Sequence, residues 1–106
     1  MAICDRDSVI AAAGGARREL LDKAISPQLE EIMEKRGLFT AEYRVAQPVC
    51  DGVPDHGISV AAPILSAGDV LGCVVFSAAK DTAPHGDTES KLAQAVASFL
   101  GKVMEE

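Results

Sequence analysis

Five residues carry the side chains most often recruited for thiol or metal chemistry: Cys4, Cys50, Cys73, His56 and His85. Their spacing argues against a zinc centre, because no two of them stand at C-x-x-C or a comparable ligand interval. Three widely separated cysteines are also a poor disulfide framework, and no charged segment precedes an apolar signal core. All three are therefore expected as reduced thiols that behave as small hydrophobes. Cys73 falls inside the run VLGCVVF, where loss of solvent raises a thiol's pKa and blunts its nucleophilicity. Two other patterns invite a ligand. Asp5 and Asp7 flank Arg6 and could pair on a cation, yet Asp at both ends of a charged tip is the ordinary way to hold a turn in water. Gly14 and Gly15, followed by Arg17 and Arg18, offer backbone amides and guanidiniums to an anion, without G-x-G-x-x-G or Walker spacing. No catalytic residue, metal ligand or cofactor is assigned.

The elements that must position these groups belong to one domain. A chain of 106 residues buries roughly 60–70% of its unfolded surface around a single core. Hydrophobic residues make up 48% and charged residues 25%, which suits a globular chain and not a disordered one. Ten Lys and Arg against sixteen Asp and Glu leave a net charge of −6, which repels a phosphate backbone and excludes direct nucleic-acid contact as the expected role. Aromatic residues are only 4%, so stacking platforms for bases are scarce. No apolar run approaches the roughly 18 residues of a membrane span, and a cytoplasmic setting without membrane contact is expected.

Residues 2–4 and 8–14 predict a hairpin with Asp5-Arg6-Asp7 at its tip, and Gly14-Gly15 permits the positive φ needed to leave it. From 16 to 25, Leu20, Leu21, Ala24 and Ile25 share one helical face, which predicts a short amphipathic helix. Ser26 as N-cap with Pro27 at the first helical position starts a second helix, with Leu29, Ile32 and Met33 inward and Gly37 at its C′ position. Residues 41–50 alternate weakly and contain Pro48, predicting an edge or irregular strand before a loop at 51–57. The clearest unit is 58–78, two apolar runs around Ser66-Ala67-Gly68-Asp69, a hairpin too apolar to face water on either side. Asp87 or Thr88 then caps a helix in which Leu92, Val96, Phe99, Leu100, Val103 and Met104 recur at helical spacing. Beside that stripe Ala93, Ala97 and Gly101 stand four residues apart. Such small residues either sit in the core against a sheet or admit a second helix from another copy.

The pattern AAPILSAGDVLGCVVFS, a loop, then DTESKLAQAVASFLGKVMEE resembles the second half of a GAF domain. The opening CDRDSVIAAAGGARRELLDKAISPQLEEIMEKRG narrows this: it is similar to the GAF domain of AbrB-family transcription regulators of spore-forming bacteria. The resemblance covers the whole chain. It implies an α+β fold, a central antiparallel sheet sandwiched by helices, with 16–36 and 41–57 over one face. It also implies an AbrB-type DNA-binding domain ahead of the opening hairpin, outside these residues, through which any DNA contact would run.

In GAF domains generally a small molecule lies between the sheet and the covering segments. By that resemblance the candidate pocket residues here are Tyr43, Cys50, Ser59 and Cys73, with an unidentified effector. The candidate oligomer interface is Ala93, Ala97, Leu100, Gly101 and Met104, with a homodimer or higher homo-oligomer expected. Three functions follow: a sensory and oligomerising domain of a sporulation regulator, a dimerisation module whose pocket is closed, or a thiol enzyme of the methionine sulfoxide reductase kind found among some GAF relatives. The first is the expected one.

Overall fold

A computed structural model describes residues 1–104. The elements in chain order are β1 (Ala2–Cys4), β2 (Val9–Ala12), α1 (Arg17–Leu20), α2 (Pro27–Glu34), β3 (Phe39–Thr40), β4 (His56–Ser66), β5 (Asp69–Ala79) and α3 (Asp87–Val103). The strands form one antiparallel sheet in the order β2-β1-β5-β4-β3, so the fold is α+β as expected.

The charged interruption near the N-terminus is a turn. The Asp5 carboxylate accepts the N–H groups of Asp7 and Ser8, each at 2.8 Å, and Asp5 N–H donates to the Ser8 carbonyl. Those backbone donors, Ser8 first and Asp7 second, hold the Asp5 carboxyl below its usual range. The carboxylate is thus consumed by its own loop. In the long hairpin the turn falls on Ala67 and Gly68, with φ of 51° and 87°, the left-handed pair that matches strand twist in a two-residue connection.

Both faces of the central strands are covered, which explains why β4 and β5 read as nearly continuous apolar runs. Ile58, Ala61, Cys73 and Val75 join Cys4 and Val9 in a core with Leu20 of α1 and Leu29, Ile32 and Met33 of α2. Val60, Ala62, Ile64 and Val74 face the other way, onto Ala93 and Ala97 of α3. Ser26 ties the first layer together. Its hydroxyl accepts the Leu29 N–H at 3.1 Å as the N-cap of α2 and donates to the Pro48 carbonyl at 2.6 Å, while the whole residue is buried.

Several local expectations are corrected. The helix predicted over 16–25 stops at Leu20, because Asp22 turns left-handed (φ 66°) and the chain then runs beside the first hairpin. Asp22 N–H donates to Val9 O, Val9 N–H to Lys23 O and Ile25 N–H to Asp7 O. Long-range pairing outcompetes one further turn of a helix too short to sustain itself. The left-handed residue after α2 is Arg36 (φ 61°), one position before Gly37. No strand spans 41–50; the edge strand is the preceding β3, and the loop is pinned by bridges Ile25–Cys50 and Pro48–Gly57 and by buried Val45 and Val49. Gly86, not Asp87 or Thr88, occupies the N-cap of α3, without a side-chain capping bond.

The largest reversal concerns the faces of α3. The residues it buries are Ala93, Ala97 and Gly101, while Leu92, Phe99, Val103 and Met104 are exposed. Helix and strand backbones approach so closely that a Cβ at position 101 would collide with the Leu65 carbonyl oxygen. Small side chains fill the closest approach, and Val96 and Leu100 pack partly buried beside them.

Candidate functional site

Three parts of the molecule bear on function: the buried thiols, the residues expected to line a pocket, and the outward side of α3. The thiols come from distant points in the chain. Cys4 and Cys73 are direct cross-strand partners of β1 and β5, and Cys50 arrives from the loop before β4. All three are free and buried. Cys4 Sγ–H donates to the Cys73 carbonyl at 3.5 Å, and Cys50 Sγ–H points to the Leu20 carbonyl at 3.9 Å. Burial, then the neighbouring Cys4, pushes the Cys50 thiol up to about 11. Cys73 is driven far above the ordinary thiol range by its hydrogen bond with Cys4 and then by burial.

At neutral pH Cys50 and Cys73 are protonated and shielded, the opposite of an activated nucleophile. Among the described residues no cluster of three or more His, Cys, Asp or Glu side chains could hold a metal ion. A thiol reagent such as Ellman's is therefore expected to label none of the three cysteines in the native chain and all three in denaturant. Rapid native labelling of Cys50 or Cys73 would overturn that reading. The sign of the linkage follows from the raised Cys50 value: its neutral form stabilises the fold up to the ordinary thiol range, and the contribution is lost as pH rises toward 11.

The four candidate pocket residues are not brought together. Tyr43 is 87% exposed on the loop after β3, whereas Cys50, Ser59 and Cys73 are fully buried. Ser59 Oγ accepts the His85 backbone N–H at 2.7 Å and lies 2.8 Å from His85 Nδ1. The His85 ring in turn leans on Phe76, with centroids 5.7 Å apart. This small cluster fixes the loop that leads into α3. Nothing in the sequence announced it, since Ser59 and His85 are 26 residues apart and a lone His in a Pro-containing loop carries no periodic signal. His56, on the other hand, sits 4.0 Å from the Glu19 carboxylate, away from His85.

Of the interface candidates, Ala93, Ala97 and Gly101 are spent on the sheet, so this small-residue row is not open to another helix. Leu100 is partly buried and Met104 is half exposed; both border an apolar hollow of about 230 Å³ shared with Ile3, Ile10 and Leu71. The exposed row Leu92, Phe99 and Val103 completes an apolar outer side on α3, with Phe99 at 66% exposure. Helical spacing did reveal that row, without fixing which way it faces. No element among the described residues covers it.

No helix among the described residues is long and apolar enough to cross a membrane. The family model described as "Stage V sporulation protein T C-terminal, transcription factor" matches residues 1–105. Stage V sporulation protein T of Bacillus subtilis (strain 168) is 32% identical over 105 residues, covering 98% of this chain and 58% of that protein. The chain thus spans a little over half the length of that curated relative.

Proposed function

Because the chain belongs to the family of stage V sporulation protein T C-terminal domains, which is described as a transcription factor family, we propose that it is a regulatory domain. It oligomerises through the outer side of α3 and relays a small-molecule signal to DNA binding performed elsewhere in the regulator. The observation that carries this reading is the exposed apolar row on α3, with Leu92 at 48%, Phe99 at 66% and Val103 at 55%. A net charge of −6 supports leaving DNA contact to another segment. An antiparallel sheet with helices on both faces suits a GAF-type sensory scaffold.

The thiol-enzyme alternative loses support in the buried cysteines, with Cys50 and Cys73 held protonated. Coupling demands that a ligand prefer one packing of the helices over another; equal affinity for both shifts nothing. Sedimentation equilibrium tests the association directly. The wild-type chain is expected to dimerise, and Phe99→Glu with Val103→Glu to weaken dimerisation about 100-fold or more, since two charges would be stranded in an apolar contact. A wild-type chain that stays monomeric at high concentration would refute the proposal.

A further inference from the structure

We infer that the shallow groove between α3 and the segment joining α2 to β3 binds a small carboxylate that carries a short apolar body. The inference rests on the sensory half of the proposed function and gives it a ligand class and a place. It puts the ligand on the α3 side of the sheet, away from the closed face where Cys50 and Cys73 lie.

The groove exists because β3 is only two residues long. It pairs with Ala61 and Val60 of β4 and stops, so the edge of β4 beyond Ala61 has no neighbouring strand. Pro63 on that edge has no N–H to offer an added strand, which leaves the space to a small molecule more readily than to an extended peptide. The small inward residues of α3 keep the floor low. Ala62, Pro63, Leu65 and Ala97 line it, and Leu38 forms the far wall. The opening measures about 420 Å³, within the usual range of small-molecule sites.

The near wall is polar and regular. Gln94, Ser98 and Lys102 stand four residues apart on α3, one position on from the buried row Ala93, Ala97 and Gly101, so all three face the groove. Across from them stands Arg36, also lining it. Neither Arg36 nor Lys102 takes part in an ion pair among the described residues. Two cations unpaired among the described residues, over an apolar floor with an amide and a hydroxyl between them, match an anionic head on a hydrocarbon body. A guanidinium fork favours the planar carboxylate among such heads.

The test uses the 106-residue chain and three probes in a ¹H–¹⁵N titration: hexanoate, hexanol with the same body and no charge, and acetate with the same charge and no body. Hexanoate is expected to give saturable shifts at the amides of Leu38, Ser98 and Gly101, with hexanol and acetate at least about tenfold weaker. The exposed-site variant Arg36→Gln with Lys102→Gln should keep a dispersed spectrum and lose at least about tenfold in hexanoate affinity. Equal binding of hexanol would make the groove a plain apolar crevice, and equal binding of acetate a plain anion site; either overturns the inference. So does hexanoate binding that maps elsewhere, that survives the double substitution, or that is absent. Because dimerisation is read separately by sedimentation, failure here with association intact removes the ligand class alone.

Discussion

Replacing Gly101 by leucine is expected to destabilise the fold by about 3 kcal/mol or more, the upper end of overpacking costs, with a fall in Tm of roughly 12 °C or more. The obstruction at this position is the Leu65 carbonyl of β4, part of a paired backbone and not the tip of a flexible side chain. α3 can accept a larger residue only by lifting from the sheet, which would open the contact of Ala93 and Ala97 with Val60, Ala62, Ile64 and Val74. Gly101→Ala should lie between the two proteins. Its Cβ meets the same oxygen, but the gain in helix propensity offsets about 1 kcal/mol. Ala95→Leu, on the exposed side of the same helix, should change stability by less than about 0.5 kcal/mol. Thermal melts of the three variants decide the matter: a Gly101→Leu chain that melts with the parent would mean that α3 does not rest on β4 as described.

Ser26→Ala should cost about 2–4 kcal/mol, far more than most buried Ser to Ala changes. One part is the lost N-cap of α2, worth about 1 kcal/mol. The other is the Pro48 carbonyl, which loses its 2.6 Å partner in a partly buried site and carries a desolvation cost of about 1–3 kcal/mol. Both effects act on one hydroxyl, so the substitution loosens the helix and the 47–50 loop together. Hydrogen exchange should register this as faster exchange at the Leu29 amide, which Ser26 now accepts. Unchanged stability and unchanged Leu29 protection would show that the hydroxyl holds neither element.

What the amino-acid sequence disclosed depended on how local the cause was. The first hairpin, the Ser26-Pro27 helix start and the long β4–β5 hairpin were all legible, because each is set by residues within a few positions of one another. The helix over 16–25 was misjudged because its end is decided by backbone pairing to Val9 and Asp7, which periodicity does not register. The 41–50 segment failed for a similar reason: Val45 and Val49 are buried, but as plugs of an irregular loop and not as alternate residues of a strand. α3 is the instructive case. Two apolar rows were visible, one large and one small, and spacing left open whether the small one met the sheet or a second helix. Backbone proximity at Leu65 puts the small row on the sheet, with Val96 and Leu100 of the large row packed beside it and Leu92, Phe99 and Val103 left outside. The pocket candidates were carried by family likeness, and tertiary packing scattered them between solvent, core and loop.

The position of β1 has a consequence for how the molecule comes into being. β1 lies between β2 and β5, and its partner on the β5 side stands 69 residues further along the chain. During synthesis the opening hairpin must therefore wait as a two-stranded ribbon, marginal in water, with one edge bare until the second hairpin has left the ribosome. Closing so long a loop is slow, which makes the late-arriving β5 the step that commits the chain to its native topology and ends its exposure to mispairing with neighbours.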